Sequence, residues 1–155
     1  PNYPWNDSVW MSKWEFVSQR QEGGTQSIGF SMLNEDGDDY THILYETENL
    51  FVFVSPYLNE LSELNLAECQ RVYDIINEMG YNYLWITSVN PEYIHELQDQ
   101  YYIFDEVYFG DELELKAMVR SNPGLILIND GIIIDKWSKI DFPQKEEINN
   151  LIETL

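Results

Sequence analysis

The chain has 155 residues, of which 44% are hydrophobic and 15% aromatic, enough for one domain with its own core. Its 28 acidic and 8 basic residues leave a net charge of -20, which repels phosphate backbones, so we expect no nucleic-acid partner. The single cysteine, Cys69, and the two histidines exclude a disulfide scaffold and a zinc ribbon. We expect neither a metal ion nor another cofactor.

The first 49 residues have the pattern of an N-terminal extension. The run from Ser8 to Gln19 predicts a short amphipathic helix. Ile28 to Leu33 alternates apolar and polar residues, which predicts a half-buried strand. This strand is followed by a polar turn at Gly37 and by a returning partner strand from His42 to Tyr45. Together they predict a helix and a β-hairpin ahead of the core.

The remaining residues, 50–155, alternate continuous apolar runs with amphipathic segments. Such runs are typical of strands covered on both faces, and Asn129-Asp130-Gly131 between two of them is a strong hairpin signal. In chain order the pattern predicts a strand at Leu50–Val54, a helix at Leu64–Met79, a strand at Tyr83–Thr87, a helix from Pro91 to Tyr101, a helix at Glu112–Val119, a hairpin of Leu125–Ile128 and Ile132–Ile134, and a last helix from Gln144 to Thr154.

This order of elements restricts the fold. Right-handed crossovers place the first two core strands parallel and adjacent, and the hairpin completes the sheet. We therefore predict an α/β three-layer sandwich with a mixed four-stranded core sheet. The chain is expected to be a single domain, residues 1–155, with an N-terminal extension (1–49) and a core (50–155).

Two segments carry a family resemblance. Asp111–Trp137, with Arg120-Ser121-Asn122-Pro123-Gly124 before the hairpin, resembles the cis-proline loop and hairpin of thioredoxin-like proteins. It looks most like the domain that follows the membrane helices in bacterial DoxX-type membrane proteins. Phe30–Thr41 is similar to the N-terminal hairpin of thiol-disulfide oxidoreductases and peroxiredoxins. The resemblance implies a thioredoxin-like fold, an extracytoplasmic (periplasmic) location and a membrane tether in the full-length protein.

The chain departs from redox thioredoxins after its first core strand. Those proteins carry Cys-x-x-Cys there, where the helix N-terminus lowers the pKa of the first thiol, whereas this chain has no cysteine between Ser55 and Leu64. The resemblance leaves a candidate groove of Ser55, Pro56, Asn122 and Pro123, with a cis Asn122–Pro123 bond. Such an edge binds extended peptides through backbone hydrogen bonds; alternatively, the proline only preserves the turn.

Other candidate groups have simpler interpretations. Cys69 lies on the apolar stripe of its predicted helix, where burial would raise the pKa of the thiol. The acidic run Glu35–Asp39 does not match a calcium loop and is interpreted as a solvated turn. Arg120 could pair with a ligand carboxylate, although pairing with an acidic residue of the chain is the simpler interpretation.

These observations predict a redox-inactive thioredoxin-like domain with no catalytic residue. It would act as an interaction or accessory module of a membrane-associated system, with a protein or peptide partner. The alternative is a diverged thiol-dependent oxidoreductase that uses Cys69 or a cysteine of a partner. A third hypothesis, an acidic mimic of nucleic acid, fits poorly with acidic residues scattered over a recognisable core.

Overall fold

The computed structural model describes residues 31–155. The helix predicted at Ser8–Gln19 and the first part of the strand predicted at Ile28–Leu33 lie outside these residues. Short 3-10 turns occur at Leu58–Glu60 and Tyr102–Phe104. The other elements are α1 (His42–Glu46), β1 (Leu50–Ser55), α2 (Glu63–Glu78), β2 (Asn82–Thr87), α3 (Pro91–Gln98), β3 (Val107–Phe109), α4 (Glu112–Met118), β4 (Gly124–Asn129), β5 (Ile132–Ser138) and α5 (Lys145–Glu153).

The strands form one mixed sheet in the order β3-β2-β1-β4-β5. β1 runs parallel to β2 and antiparallel to β4, so that Leu50 lies between Asn82 and Ile128. β4 and β5 form the predicted hairpin, with a register shift after Leu127. The parallel pairing of the first two core strands and the α/β architecture are therefore confirmed.

Within residues 31–155 the sheet has five strands, so the predicted number of four core strands was wrong. β3 adds a parallel edge next to β2, with Val107 opposite Trp85. Its outer edge exchanges two backbone hydrogen bonds of 2.8 Å between Leu33 and Phe109. A three-residue edge strand that is only partly buried shows no periodicity in the sequence, and therefore this strand was missed.

The predicted strand from His42 to Tyr45 is also wrong, because these residues form helix α1. The Asp39 carboxylate accepts a hydrogen bond of 2.8 Å from the backbone N–H of Thr41 and starts this turn. Leu44 is fully buried in the core under α1, whereas its two neighbours are only partly buried. In place of the predicted hairpin, the structure has an isolated antiparallel bridge between Leu33 and Asp39.

Two apolar cores lie on opposite faces of the sheet, and β1 contributes to both. Phe51 and Phe53 point into the core that includes α2, α3 and α5, while Val52 and Val54 point into the core that includes α1 and α4. Phe53 stacks on Trp85 with ring centroids 4.6 Å apart. Burial on both faces explains the continuous apolar run of β1, and it holds the end of β1 rigidly beside β4.

Helix α2 begins with a reciprocal cap. The Ser62 hydroxyl accepts from the backbone N–H of Asn65 at 3.1 Å, and the Asn65 side chain accepts from the backbone N–H of Ser62 at 3.1 Å. This capping box satisfies backbone donors that a helix start leaves unpaired. It fixes the point at which the loop after β1 ends. None of the helices within residues 31–155 combines the length and the apolar character needed to cross a membrane.

Candidate functional site

The predicted groove residues meet at one end of the sheet. Val54 lies opposite Gly124 in the antiparallel β1–β4 pair, so the loop after Ser55 faces the loop before Gly124. The Asn122–Pro123 peptide bond is cis. Pro56 and Pro123 are buried and Asn122 is half-buried. The structure thus brings the four candidate residues together at one end of the sheet, with Asn122 partly exposed and the other three buried.

The side chain of Asn122 joins the two loops. Its Oδ1 atom accepts hydrogen bonds from the Ser55 hydroxyl at 2.7 Å and from the backbone N–H of Tyr57 at 3.4 Å. Its Nδ2 atom donates to the Tyr57 carbonyl at 2.8 Å. Ser55 is fully buried, so this contact also satisfies a hydroxyl that would otherwise be costly to bury. We call this contact the Asn122 clamp.

Two serines strengthen the same region. The Ser88 hydroxyl, which follows β2, donates to the Pro56 carbonyl at 2.6 Å. The Ser121 hydroxyl donates to the Pro123 carbonyl at 2.7 Å and accepts from the backbone N–H of Lys139 at 2.8 Å. The cis-proline loop is thereby tied to the end of β5. Within residues 31–155, neither the backbone N–H nor the carbonyl of Asn122 has a hydrogen-bond partner.

Tyr57 occupies the segment in which redox thioredoxins carry their cysteines. Its hydroxyl donates to the Glu112 carboxylate at 2.5 Å, and the Lys116 ammonium lies 5.1 Å from the centre of its ring. Lys116 also pairs with Glu112 at 3.5 Å. The hydrogen bond with the Tyr57 hydroxyl raises the pKa of Lys116. The result is a polar contact between the loop after β1 and the start of α4.

Sequence reasoning missed the roles of Tyr57, Glu112 and Lys116. The i, i+4 spacing of Glu112 and Lys116 indicates a helix-surface ion pair. Nothing in the spacing places Tyr57, which is 55 residues earlier than Glu112, against that pair. Only the sheet topology brings them together.

Cys69 lies in the hydrophobic core. It lies on the buried face of α2 with no exposed surface. Burial, with a smaller contribution from the charge of Glu68, raises the pKa of the Cys69 thiol. The thiolate that disulfide chemistry requires is therefore strongly disfavoured at this position.

The acidic turn is solvated, and its glutamate pairs with a histidine. Glu35 and Asp36 are exposed, and the Glu35 carboxylate lies 2.6 Å from Nε2 of His95 on α3. In the part of the chain that the structure describes, no group of three or more His, Cys, Asp or Glu side chains is arranged to hold a metal ion.

The comparisons with solved structures return thioredoxin-like proteins. One match is the C-terminal domain of a protein assigned as a thiol-disulfide oxidoreductase from Bacteroides thetaiotaomicron, at 18% identity and a TM-score of 0.61, covering 84% of this chain and 99% of that one. A thiol peroxidase from Chromobacterium violaceum matches at 11% identity and a TM-score of 0.59, covering 84% and 86%. A secreted disulfide oxidoreductase from Mycobacterium tuberculosis matches at 10% identity and a TM-score of 0.55, covering 83% and 97%.

No protein-family model and no curated protein matches the sequence. The structural matches, together with the sheet order, show that the chain has a thioredoxin-like fold. At these identities the likeness concerns the fold alone. The function must therefore be argued from the groove.

Proposed function

We propose that this chain is a thioredoxin-like interaction module that binds an extended segment of a partner protein at the cis-proline groove and performs no thiol chemistry of its own. The observation that carries the proposal is the Asn122 clamp. It joins the loops after β1 and before β4 with amide and hydroxyl groups. This contact supports the proposal that a binding surface remains beside a loop that has no cysteine.

The geometry suits recognition of a peptide backbone. The Asn122 side chain is turned toward Ser55 and Tyr57. Its main-chain N–H and carbonyl, at a half-buried position, are the groups that would pair with an extended ligand. Backbone pairing provides affinity, and neighbouring side chains provide selectivity. Tyr57 is placed to contact such a ligand, since it is half-buried beside the clamp.

The burial of Cys69 favours the interaction module over the oxidoreductase alternative. A catalytic cysteine needs an accessible sulfur with a lowered pKa, whereas Cys69 is fully buried and its pKa is raised. A cysteine of a partner would meet the half-buried Tyr57 and Ser121 at the groove, neither of which can form a mixed disulfide. Both routes of the alternative therefore lack a thiol on this chain's surface.

The proposed setting is extracytoplasmic, with a membrane tether in the full-length protein. The support is the resemblance of Asp111–Trp137 to the domain of DoxX-type membrane proteins. The secreted disulfide oxidoreductase among the structural matches is consistent with that setting. Within a membrane-associated system, the module would recognise a protein partner.

The test is a selection of linear peptides on the purified chain from a displayed library, followed by nuclear magnetic resonance mapping of the selected peptide. We expect the largest shifts at Tyr57, Ser121 and Asn122. Asn122→Ala should weaken binding by about tenfold, which is about 1.4 kcal/mol. Asn150→Ala, a change of the same residue type at an exposed position of α5, is the matched control and should bind normally.

Two results would oppose the proposal. The first is a set of shifts confined to a surface away from the cis-proline loop. The second is dithiothreitol-dependent reduction of insulin at a rate comparable with that of a working thioredoxin, since this activity needs a reactive thiol pair.

A further inference from the structure

A small cavity lies beside the groove, between the cis-proline loop and the end of β5. Its volume is about 90 Å³. Arg120 directly precedes Ser121, and Ser121 is bonded to the residue that follows Ser138, so the cavity adjoins the cis-proline loop. The lining residues are Val119, Arg120, Lys136, Trp137, Ser138 and Asp141.

The charge of this cavity is opposite to that of the protein. The chain has only 8 basic residues and a net charge of -20, yet two of its basic residues, Arg120 and Lys136, line one cavity. Among the lining residues within 31–155, Asp141 is the only acidic one, and it accepts a hydrogen bond of 2.9 Å from Ser138. A pair of cations at a shared cavity repels, and an anion between them would relieve that repulsion.

The repulsion between the two cations contributes to the pKa of Lys136. Burial, and next the charge of Arg120, lowers the pKa of Lys136 to about 7. An anion bound beside the ammonium would favour its charged form and raise this pKa again. Binding of an anion should therefore be accompanied by uptake of a proton at neutral pH.

The size and chemistry of the cavity select the type of anion. One water occupies about 30 Å³ of liquid, so a cavity of about 90 Å³ has room for a carboxylate group and its first carbon. A guanidinium matches a carboxylate through two parallel hydrogen bonds. The Ser138 hydroxyl already donates to Asp141, so recognition of the anion rests on Arg120 and Lys136.

We propose that the cavity between Arg120 and Lys136 binds a carboxylate group, supplied by a small free carboxylic acid or by an acidic residue or C-terminus of a peptide in the adjoining groove. Arg120 and Lys136 each make further interactions, so the ligand carboxylate joins or replaces an existing partner. The proposal requires only that both cations line the cavity. If the ligand is a free carboxylic acid, the proposal does not depend on the proposed peptide binding.

The first experiment titrates the isotope-labelled chain with sodium acetate against sodium chloride at equal ionic strength. We expect saturable shifts at Arg120, Ser138 and the side-chain resonances of Lys136 that chloride does not produce. From a Lys136 pKa of about 7, the protonated fraction falls from about 0.9 at pH 6 to about 0.1 at pH 8. Acetate should therefore bind up to about tenfold more tightly at pH 6, and it should raise the measured pKa of Lys136.

Variants locate the effect. Lys136→Met should remove most of the pH dependence, and Arg120→Gln should weaken binding while the Lys136 resonance still reports it. Lys139→Met changes an exposed lysine three positions away and should leave acetate binding unchanged. If Lys136→Met does not fold, acetate binding to Arg120→Gln and the titration of Lys136 in the unmodified chain still test whether the cavity binds a carboxylate.

Peptides separate the two sources of the carboxylate. A peptide selected at the groove is compared with its C-terminally amidated form and with a form in which Asp and Glu are replaced by Asn and Gln. If acetate shifts the cavity resonances and all peptide forms bind equally, the ligand is a free acid. If the amidated or the Asn- and Gln-substituted peptide binds more weakly than the original, the carboxylate comes from the peptide. The proposal is overturned if acetate gives only the chloride response and every peptide form binds equally. It is also overturned if Lys136→Met and Arg120→Gln both bind acetate as the unmodified chain does. Failure of peptide selection alone would count against the groove, not against this cavity.

Discussion

Asn122→Ala is the change that most directly perturbs the joined loops of the groove. It removes the acceptor of the buried Ser55 hydroxyl and both partners of the Tyr57 backbone. Leaving a buried hydroxyl unsatisfied costs about 1–3 kcal/mol, and each loss at the half-buried Tyr57 backbone costs about 0.5–1 kcal/mol. We therefore expect the free energy of unfolding to fall by about 2–5 kcal/mol.

Urea denaturation followed by circular dichroism measures this loss, and a double-mutant cycle tests its cause. Ser55→Ala removes the hydroxyl that Asn122 satisfies. The double variant Ser55→Ala with Asn122→Ala should therefore be more stable than the sum of the single effects predicts, by about 1 kcal/mol. Asn150→Ala, at an exposed site, should stay within about 0.5 kcal/mol of the unmodified chain. A loss below about 1 kcal/mol for Asn122→Ala, with purely additive effects, would refute the clamp.

Three further predictions concern other parts of the molecule. Cys69 should react with Ellman's reagent far more slowly in the native state than in denaturant, because its sulfur is fully buried; fast native labelling would contradict this burial. Glu68→Gln should lower stability at neutral pH, because pairing with Arg71 lowers the pKa of Glu68 below its usual 4.5. That difference should vanish as the pH falls through the lowered pKa, because protonated Glu68 is then uncharged, as Gln at this position is. A pH-independent difference would exclude the ion pair as its cause. The melting temperature should rise between low and moderate salt, because about 0.15 M salt screens repulsion beyond about 8 Å on a chain of charge -20; a flat response would mean that the acidic residues are already compensated.

The elements that could be predicted from the sequence are those with strong local signals. The run Leu50–Val54 is apolar at every position because β1 is buried on both faces. The turn at Asp130-Gly131 has positive φ angles at both residues, which the Asp-Gly pair favours. Pro91 marks the first turn of α3, whose cap is the Asn90 side chain. In each case a few adjacent residues carry the whole signal.

The features that escaped prediction depend on long-range contacts. The helix His42–Glu46 depends on the Asp39 contact and on a core that buries Leu44. The short strand Val107–Phe109 depends on its neighbour β2.

The contacts within the groove are also long-range and could not be predicted from local sequence. Its four residues were chosen from a resemblance, while the hydrogen bonds of Asn122 span 65 or more positions. The basic cavity likewise joins Arg120 to a lysine on another element. The division of the chain at residue 49 stays a prediction.

The central claim is that the groove binds a peptide without thiol chemistry. The most direct test is the dissociation constant of a groove-selected, cysteine-free peptide for the unmodified chain and for Cys69→Ala, measured by nuclear magnetic resonance in the presence of a reductant. The account predicts equal dissociation constants and the same shifted residues, Tyr57, Ser121 and Asn122, because the buried sulfur takes no part in binding. Loss of binding in a folded Cys69→Ala variant, or dependence of binding on the absence of reductant, would contradict it.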